Sequence, residues 1–340
     1  MKKIVLSLLC VLGSLYLFAQ DTFSIVAVDE ETGEIGAAGA SCVDGIAAFG
    51  GIQLLNDIIP GRGGVNAQAW VCLNPHINLV NAIDQMEQGL SPSEIIDWLY
   101  ANDACSSQSF NPEYRQYGIV DFDPDGNARV AAFTGANADD YKGHITGPNY
   151  AIQGNILLGE EVLTQMEDGF VNTEGSLAEK LMGAMQGANI PGADQRCLDR
   201  GTSSTSAFLR VYSPDDEPGS PSLELSILEM PFGEEPIDSL QSLFDEWFTT
   251  NSVLDWQGKG SVQVFPNPVT NELQVYFQSP RSIETLTIYD TVGKVVMELS
   301  PNTVAQTHLQ LDVSKLERGT YYLKFKSKES GIETIRIVKP

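Results

Sequence analysis

The order of apolar patterns along residues 22–249 constrains the fold more than any other feature of this sequence. Runs of alternating apolar residues, typical of strands, come in groups, and stretches with the apolar period of a helix separate the groups. The order is strands, two helices, strands, two helices, strands and one helix. Grouped strands that alternate with paired helices predict an α+β domain, in which two sheets pack together and helices cover both outer sides.

The predicted strands of this region cover 22–28, 34–41, 65–71, 115–121, 128–133, 150–157, 203–212 and 222–230. The predicted helices cover 75–88, a stretch from 92 onward, 159–170, 176–187 and 236–249. The second helix has the clearest start, because Ser91 and Glu94 form a capping box around Pro92 at its first position. The strand at 34–41 is rich in glycine and alanine, which indicates close packing against it.

The first 20 residues have the organisation of a secretory signal peptide. Lys2 and Lys3 precede an apolar run at 4–18, and Ala19 supplies the small residue of a cleavage site. The run is too short to span a membrane comfortably, and the alternative is a buried N-terminal helix. No later segment approaches a membrane-spanning run, so we expect no transmembrane segment in the mature protein.

Negative charge is concentrated in the N-terminal part of the chain. Residues 261–340 contain 9 of the 20 Lys and Arg and 8 of the 45 Asp and Glu, a net charge of +1. Without Lys2 and Lys3, the segment 21–260 carries 9 positive and 37 negative residues, a net charge of −28. Such a surface repels nucleic acid and anionic lipid, so we expect no nucleic-acid partner. Asn251 and Ser252 follow the last predicted helix, and residues 258–260 (GKG) precede a new run of strands, so we predict a domain at 21–250, a linker at 251–260 and a second domain at 261–340.

Four cysteines remain after removal of the signal: Cys42, Cys72, Cys105 and Cys197. An even number of cysteines in an exported protein predicts disulfides, and four cysteines allow three pairings. We expect Cys42–Cys72 and Cys105–Cys197, because the first two each end a predicted strand and the others lie in loops. The alternative is a metal site, but no two of the four have the C-x-x-C spacing that such sites favour.

The sequence pattern of the C-terminal region predicts a small β-sandwich. Short alternating strands are predicted at 262–265, 273–277, 286–289, 295–299, 309–313, 321–325 and 334–338, with turn residues between them. The motifs of this region are 265–268 (FPNP), 289–294 (YDTVGK), 319–322 (GTYY) and 335–339 (IRIVK). With these motifs in order, the region resembles the type IX secretion C-terminal sorting domain of Bacteroidetes. The resemblance implies recognition by the type IX machinery and passage through the periplasm and outer membrane, to the medium or the cell surface. A carbohydrate-binding or adhesion sandwich is the alternative.

No motif for a cofactor, a phosphate loop or a metal centre is complete in this sequence. Residues 121–126 match the start of an EF-hand loop, but Ala132 stands where the bidentate glutamate belongs. Pro124 and the flanking strands favour a hairpin turn, with calcium binding as the alternative. The segment 61–64 (GRGG) lacks the Lys-Ser/Thr ending of a phosphate loop. We therefore expect no cofactor and no metal.

The hydroxyl residue nearest the processing site is the best candidate for chemistry. Thr22 begins the first predicted strand, a few residues after Ala19. An N-terminal threonine can act as its own base, because its free α-amine has a pKa of about 8 and lies within reach of the hydroxyl. The alternative is that Thr22 is an ordinary strand residue. Cleavage after Ala19 or Gln20 leaves Asp21 before it, so a further cut would be needed to expose Thr22.

Residues 22–215 also resemble a known bacterial family. The motifs are 22–27 (TFSIVA), 32–36 (TGEIG), 115–121 (RQYGIVD), 133–135 (FTG), 153–157 (QGNIL) and 191–196 (PGADQR). In this order they resemble domain of unknown function 1028, a family with an N-terminal-nucleophile (Ntn) hydrolase-like fold. The resemblance implies a four-layer αββα sandwich and brings no substrate. The sequence departs from proteasome-like enzymes, which use a nearby lysine, because the first lysine of the mature chain is Lys142.

Two functions are predicted from this resemblance. The first is a secreted hydrolase of a small amide or peptide, with Thr22 as nucleophile and Asn155 as oxyanion donor. The residues expected to contact its substrate are Ser41, Arg115, Asp194 and Arg196. The second is a non-catalytic binding module at the cell surface or outside the cell. Ordinary turn chemistry is the alternative explanation of the motifs at 153–155 and 192–194.

Overall fold

The structure is a computed structural model that describes residues 22–251, 262–291, 293–299, 306–327 and 331–339. The predicted signal peptide and all but the first residue of the predicted linker lie outside these ranges. The chain forms two compact units that divide between Asp245 and Glu246. As predicted, the first is of the α+β class and the second, after the last helix, is all-β.

The first unit contains ten strands in its described residues. They are β1 (Thr22–Val28), β2 (Ile35–Ser41), β3 (Asn56–Ile59), β4 (Gly63–Gln68), β5 (Gln116–Phe122), β6 (Ala128–Thr134), β7 (Gly143–Thr146), β8 (Tyr150–Gly154), β9 (Ser206–Tyr212) and β10 (Leu223–Ile227). The helices are α1 (Ile77–Glu87), α2 (Pro92–Ala101), α3 (Glu160–Asn172), α4 (Leu177–Gly187) and α5 (Pro236–Asn251), the last of which crosses the division between the units.

The strands form two antiparallel sheets. One has six strands in the order β10-β9-β2-β1-β8-β7, and the other has four in the order β3-β4-β5-β6. The edge strands β3 and β7 have no counterpart among the predicted strands, because four residues are too few for an alternating pattern. Strand β4 ends at Gln68, earlier than predicted, because Ala69 and Trp70 have positive φ angles and leave the sheet.

The two sheets face each other across an apolar core. Val26 and Ala37 of the six-stranded sheet pack with Ile58 and Val120 of the four-stranded sheet. Helices α1 and α2 cover the outer side of the four-stranded sheet, and α3 and α4 cover the outer side of the other. Every residue of β1 and β2 is buried, as expected for central strands that are covered on both faces.

The small residues of β2 allow this close packing. A Cβ atom at Gly36 would lie 2.6 Å from Leu181 Cδ1 of α4, and one at Gly39 would lie 2.9 Å from the Ser24 Cβ of β1. Either distance is too short for two carbon atoms, so a larger residue would push the helix or the strand away. The close packing predicted from the glycine and alanine content is confirmed.

Local signals determine where the helices begin. The predicted capping box of α2 is confirmed: the Ser91 N–H donates to Glu94 Oε2 at 2.8 Å. A second capping box starts α4, where the Ser176 N–H donates to Glu179 Oε2 at 2.8 Å. Each box satisfies backbone N–H groups that the first helical turn leaves without partners.

The predicted disulfide pairing is wrong. The bonds are Cys42–Cys197, with 5.8 Å between the Cα atoms, and Cys72–Cys105, with 5.4 Å. Cys42 follows β2 of the six-stranded sheet, whereas Cys72 lies beyond the end of β4 in the other sheet. The ends of two predicted strands therefore need not meet, because the strands belong to different layers.

The second unit contains seven strands in its described residues: β11 (Val262–Phe265), β12 (Glu272–Arg281), β13 (Ile283–Asp290), β14 (Val295–Leu299), β15 (Gln306–Asp312), β16 (Gly319–Ser327) and β17 (Gly331–Lys339). They form antiparallel sheets in the orders β11-β12-β15 and β14-β13-β16-β17. The predicted hairpin between β13 and β14 is present: Gly293 has φ +80°, and its N–H donates to the Asp290 carbonyl at 3.1 Å. Leu273, Ile288 and Phe325 belong to the core of this unit.

Candidate functional site

A row of polar residues crosses one end of the six-stranded sheet. Thr22 begins β1 and pairs with Ser41 at the end of β2, which in turn pairs with Ser206 at the start of β9. On the other side of Thr22, Asn155 directly follows β8. All four side chains are buried. The antiparallel order of the sheet therefore brings together three predicted site residues, Thr22, Ser41 and Asn155.

Thr22 is held by its backbone, not by its hydroxyl. The Thr22 N–H donates to Asn155 Oδ1 at 3.3 Å, and the Asn155 N–H donates to the Thr22 carbonyl at 3.2 Å. Within the described part of the chain, the fully buried Thr22 Oγ1 has no hydrogen-bond partner. Leaving a buried hydroxyl unsatisfied costs about 1–3 kcal/mol, so such a group calls for an explanation.

The Thr22 side chain points between the two sheets. Side chains alternate along a strand, so Thr22, Ser24 and Val26 share one face of β1. Val26 belongs to the core between the sheets, and Ser24 Oγ donates to Oε1 of Gln68, a β4 residue, at 2.7 Å. The unpartnered hydroxyl therefore faces the interior of the domain, toward the end of β4.

Glutamines from both sheets form a buried network beneath Thr22. Gln68 Nε2 donates to the Thr22 carbonyl at 2.9 Å and to Gln116 Oε1 at 2.7 Å. Gln116 Nε2 lies 2.9 Å from the Gly154 carbonyl and 2.9 Å from Thr134 Oγ1. Sequence reasoning missed Gln68 and Gln116 as site residues. The available signal was a polar residue at the end or start of an otherwise apolar strand.

Gln153, from the predicted 153–157 motif, completes this network. Its Nε2 donates to Ser24 Oγ at 2.6 Å, and within the described residues its buried Oε1 has no partner. A Cβ atom at Gly118 would lie only 1.9 Å from that Oε1. A side chain at Gly118 of β5 would therefore displace the Gln153 amide from its present position.

The backbone on both sides of the row adopts conformations that are unusual for residues with side chains. Ala69 and Trp70, which follow Gln68, have φ angles of 62° and 50°, and Ile156, which follows Asn155, has φ 51°. Such conformations cost on the order of 1–3 kcal/mol each and occur often at functional sites. Asp139 connects the two segments: its Oδ2 accepts from Trp70 Nε1 at 2.7 Å, and its carbonyl accepts from the Ile156 N–H at 3.1 Å.

Asp194 and Arg196 lie at the end of β2, next to the row. Asp194 is buried, and its Oδ2 accepts from the Cys42 N–H at 2.8 Å and from Arg196 Nη2 at 2.6 Å. Arg196 Nε donates to Asp194 Oδ1 at 3.0 Å, which makes the ion pair bidentate. Since Cys42 directly follows Ser41, the structure places both predicted residues one position beyond the row.

Arg115 has a different environment from the other predicted site residues. It is 1% exposed and forms an ion pair with Asp103, with 3.0 Å between Nη2 and Oδ2. Its guanidinium also donates to the carbonyls of Trp70, Cys105 and Ser107. These bonds hold together the two loops that the Cys72–Cys105 disulfide joins. A guanidinium used in this way presents no face to a substrate, so Arg115 has a structural position.

One histidine touches the glutamine network. His144 Nδ1 lies 2.9 Å from Thr134 Oγ1, which also bonds Gln116. Burial lowers the pKa of His144 below its usual value, so the ring is neutral at neutral pH. His144 therefore supplies no positive charge to the network. The nearby Lys142 forms an ion pair with Asp140, with 2.7 Å between Nζ and Oδ1.

The hairpin between β5 and β6 supports the turn interpretation of residues 121–126. Asp123 Oδ1 accepts from the N–H groups of Asp125 at 2.9 Å and Asn127 at 2.8 Å. The side-chain amide of Asn127, followed by these backbone bonds, lowers the pKa of Asp123. Among the described residues, no group of three or more His, Cys, Asp or Glu side chains could hold a metal ion.

Residues 22–240 match a family described as a family of unknown function, DUF1028. The chain belongs to this family. A crystal structure of a DUF1028 protein from Silicibacter pomeroyi is 25% identical to this chain, with a TM-score of 0.52; the match covers 69% of this chain and 93% of that chain. No curated protein matches the chain. The matched range contains the whole polar row, so the row belongs to the DUF1028 domain.

Residues 263–339 match the secretion system C-terminal sorting domain. This domain directs export by the type IX machinery to the cell surface or the extracellular space, as predicted. Two structures resemble parts of the chain more weakly. One is an immunoglobulin-like β-sandwich protein of the DUF3244 family from Bacteroides vulgatus, with 23% identity, 24% of this chain and 85% of that chain covered, and a TM-score of 0.21. The other is PorZ, a surface component of the type IX secretion system of Porphyromonas gingivalis, with 17% identity and a TM-score of 0.20. That match covers 27% of this chain and 12% of PorZ. In the described residues, no helix is both long and apolar enough to cross a membrane.

Proposed function

We propose that the DUF1028 domain is an Ntn-type amide hydrolase whose nucleophile is Thr22 Oγ1, once Thr22 has become the N-terminus. The observation that carries this proposal is the fully buried Thr22 hydroxyl, which has no partner in the described chain while Asn155 holds the nitrogen of the same residue. A hydroxyl without a permanent hydrogen bond can give its proton to the adjacent α-amine. An ordinary strand threonine would gain stability from a bonded hydroxyl or from valine in its place.

The layers of the domain support the same proposal. Two facing sheets lie between the α1–α2 pair and the α3–α4 pair. We propose that this is the four-layer αββα arrangement of Ntn hydrolases, with the nucleophile at the start of a central strand. The strained backbone at Trp70 and Ile156 flanks the same position, as expected where a fold stores strain for function.

The proposed reaction uses groups of Thr22 itself. Its α-amine, with a pKa of about 8, takes the proton from Oγ1 while Oγ1 attacks the carbonyl carbon of the amide. The tetrahedral intermediate collapses when the leaving amine takes that proton, which leaves an ester on Thr22. Water then hydrolyses the ester and restores the hydroxyl. Both half-reactions need the amine and the hydroxyl of one residue to be held in a fixed orientation.

Asn155 and Gln68 provide that orientation. Asn155 Oδ1 already accepts from the Thr22 nitrogen, and Gln68 Nε2 donates to the Thr22 carbonyl. The sequence-based role of Asn155 as oxyanion donor would fall to Nδ2 of the same amide, next to the attacked carbonyl. Ser41 belongs to the row, and Asp194 and Arg196 border it, so we retain these three as the residues that position the substrate. We leave Arg115 out, because its guanidinium is committed to the loops around it.

The proposal is tested on the secreted protein. Its intact mass is expected to begin at Thr22, and a β-lactone, which acylates nucleophilic hydroxyls, is expected to label that residue. Thr22→Ala should abolish labelling, and Thr22→Ser should retain part of it, because serine keeps the hydroxyl. Thr205→Ala is the matched control: Thr205 is also a buried threonine, its Oγ1 donates to the Ser41 carbonyl at 3.1 Å, and its loss should not affect labelling.

One observation favours the second function, a binding module without turnover. Thr22 has no exposed surface, so catalysis requires that the cut before Thr22 also uncovers its hydroxyl, whereas a binding module has no such requirement. If the mature chain begins at Gln20 or Asp21 and the lactone labels no residue, Thr22 is a strand residue and the domain binds without catalysis. Mass spectrometry of the secreted form decides between the two functions.

A further inference from the structure

A cavity of about 380 Å³ lies beside the candidate site. Its walls come from residues 42–44, which follow β2, from the 3₁₀ segment Gln195–Arg200, and from Phe232. The Cys42–Cys197 disulfide joins the first two of these segments. The bond from Asp194 to the Cys42 N–H joins them a second time, so the cavity has a rigid side.

The cavity is close to the proposed nucleophile. Cys42, in its wall, is the residue after Ser41, and Ser41 is the β2 partner of Thr22. Neighbouring strands lie roughly 5 Å apart and consecutive Cα atoms about 4 Å apart, so Cys42 and Thr22 are within about 10 Å. A molecule whose amide bond lay at Thr22 could therefore reach this cavity with a group about two to three residues further along it, because each residue spans about 3.8 Å.

The cavity contains two of the few positive side chains of an acidic domain. Between residues 22 and 251 there are eight: Arg62, Arg115, Arg129, Lys142, Lys180, Arg196, Arg200 and Arg210. Arg196 and Arg200 both line the cavity. Arg196 is already neutralised by its bidentate ion pair with Asp194, so Arg200 is the cation of this cavity that can bind a negatively charged group.

Arg200 is the less compensated of these two arginines. Its nearest carboxylate in the described chain is Asp44, at 4.0 Å, and the Asp44 side chain is 84% exposed. The Arg200 Nη2 donates to the Met230 carbonyl at 3.1 Å, and its buried Nε has no partner among the described residues. By contrast, four other arginines of the domain have a carboxylate oxygen within 3.0 Å: Arg62, Arg115, Arg129 and Arg210.

Phe232 adds an apolar surface next to this charge. Its side chain is 71% exposed, and its ring centroid lies 5.1 Å from the Arg200 Cζ. Asp44 and Asp199 also line the cavity and repel any anion, so only a group in direct contact with the Arg200 guanidinium would bind, and a single carboxylate is repelled less than an anion of higher charge. A single carboxylate attached to an apolar group fits both the guanidinium and the ring.

We propose that this cavity is a carboxylate subsite in which Arg200 binds the anion and Phe232 contacts the apolar group next to it. The substrates would then be amides that carry a carboxylate about two to three residues from the scissile bond, such as short peptides with a free C-terminus. The binding of such a carboxylate is independent of turnover; only its assignment to a substrate rests on the proposed function.

The test compares two small aromatic amides that differ in one charge. Hippurate (N-benzoylglycine) carries a carboxylate, and hippuramide carries a neutral amide in its place. We expect calorimetric titration of the secreted protein to show binding of hippurate and at least about tenfold weaker binding of hippuramide, because a charged hydrogen bond is lost. Arg200→Gln should weaken hippurate binding by a similar factor. Arg210→Gln, which removes an arginine paired with Glu224, is the control and should leave it unchanged.

Absence of hippurate binding, equal binding of the two compounds, or unchanged binding to the Arg200→Gln variant would overturn the proposal. If that variant does not fold, hippurate should instead protect Arg200 of the unmodified protein from phenylglyoxal, and lack of protection would count against the subsite. Thr22→Ala separates the two proposals, because it should still bind hippurate. Hippurate binding without lactone labelling leaves a binding module with this subsite; labelling without hippurate binding leaves a hydrolase without it.

Discussion

Replacement of Thr22 by valine should make the DUF1028 domain more stable and at the same time inactive. Valine has nearly the shape of threonine, with a methyl group in place of the hydroxyl. In the described chain the Thr22 hydroxyl is buried and makes no hydrogen bond, so the change removes a desolvated polar group without breaking a contact. The unsatisfied hydroxyl costs about 1–3 kcal/mol, and the variant should recover that amount.

Thr205→Val provides the comparison. Thr205 is equally buried, but its Oγ1 donates to the Ser41 carbonyl at 3.1 Å. That carbonyl keeps the Thr205 N–H and Ser206 Oγ as donors, so the loss should be limited to about 0.5–1.5 kcal/mol. The two substitutions are chemically identical and should therefore change the stability of the domain in opposite directions.

Calorimetry measures both changes in proteins with the same N-terminus, checked by intact mass. For a domain of this size, 1 kcal/mol corresponds to about 2–4 °C, so the Thr22→Val transition should rise by roughly 2–12 °C. The Thr205→Val transition should fall. A fall for Thr22→Val, comparable with that for Thr205→Val, would mean that the Thr22 hydroxyl is satisfied, and the argument for a poised nucleophile would fail. A gain in stability together with loss of lactone labelling is typical of a residue kept for function.

Three further predictions follow from the structure. Serine at both Cys42 and Cys197 should lower the free energy of unfolding by up to about 5 kcal/mol, and serine at both Cys72 and Cys105 by up to about 4 kcal/mol, because the closed loops span 155 and 33 residues. Urea titration measures both losses, and non-reducing peptide maps check the pairing. Burial lowers the pKa of His76 to about 4. Between pH 6.5 and 4 the unfolded chain therefore binds more protons than the folded one, so the free energy of unfolding should fall as the pH is lowered through that range. The fall should be at most about 3 kcal/mol, because the ring is only part-buried. A His76→Gln variant that keeps the full fall would contradict this. A protein that lacks residues 262–340 should remain in the periplasm. Wild-type amounts of this truncated protein in the medium would refute a role of residues 262–340 in sorting.

The sequence by itself determined the features that depend on nearby residues. The start of α2 follows from Ser91 and Glu94, three positions apart, and the hairpin between β13 and β14 follows from Gly293, which has a positive φ angle. The class of each unit also follows from local periodicity, because alternation predicts a strand whatever its neighbour is. The motifs led to Thr22 and Asn155 as residues of interest, although no pattern indicated that they touch.

Only the tertiary structure decided which of these segments meet. Thr22 and Asn155 are 133 residues apart, and the Cys42 N–H and Asp194 are 152 apart, so their contacts depend on the order of strands in the sheet. The disulfide pairing was mispredicted for the same reason, since strand ends look alike in sequence whichever sheet they join. Gln68 and Gln116 show the same limit. A glutamine at the end of an exposed strand can form its hydrogen bonds with water. Once a second sheet covers it, its amide must form them within the protein, and the sequence does not show which residues will be covered.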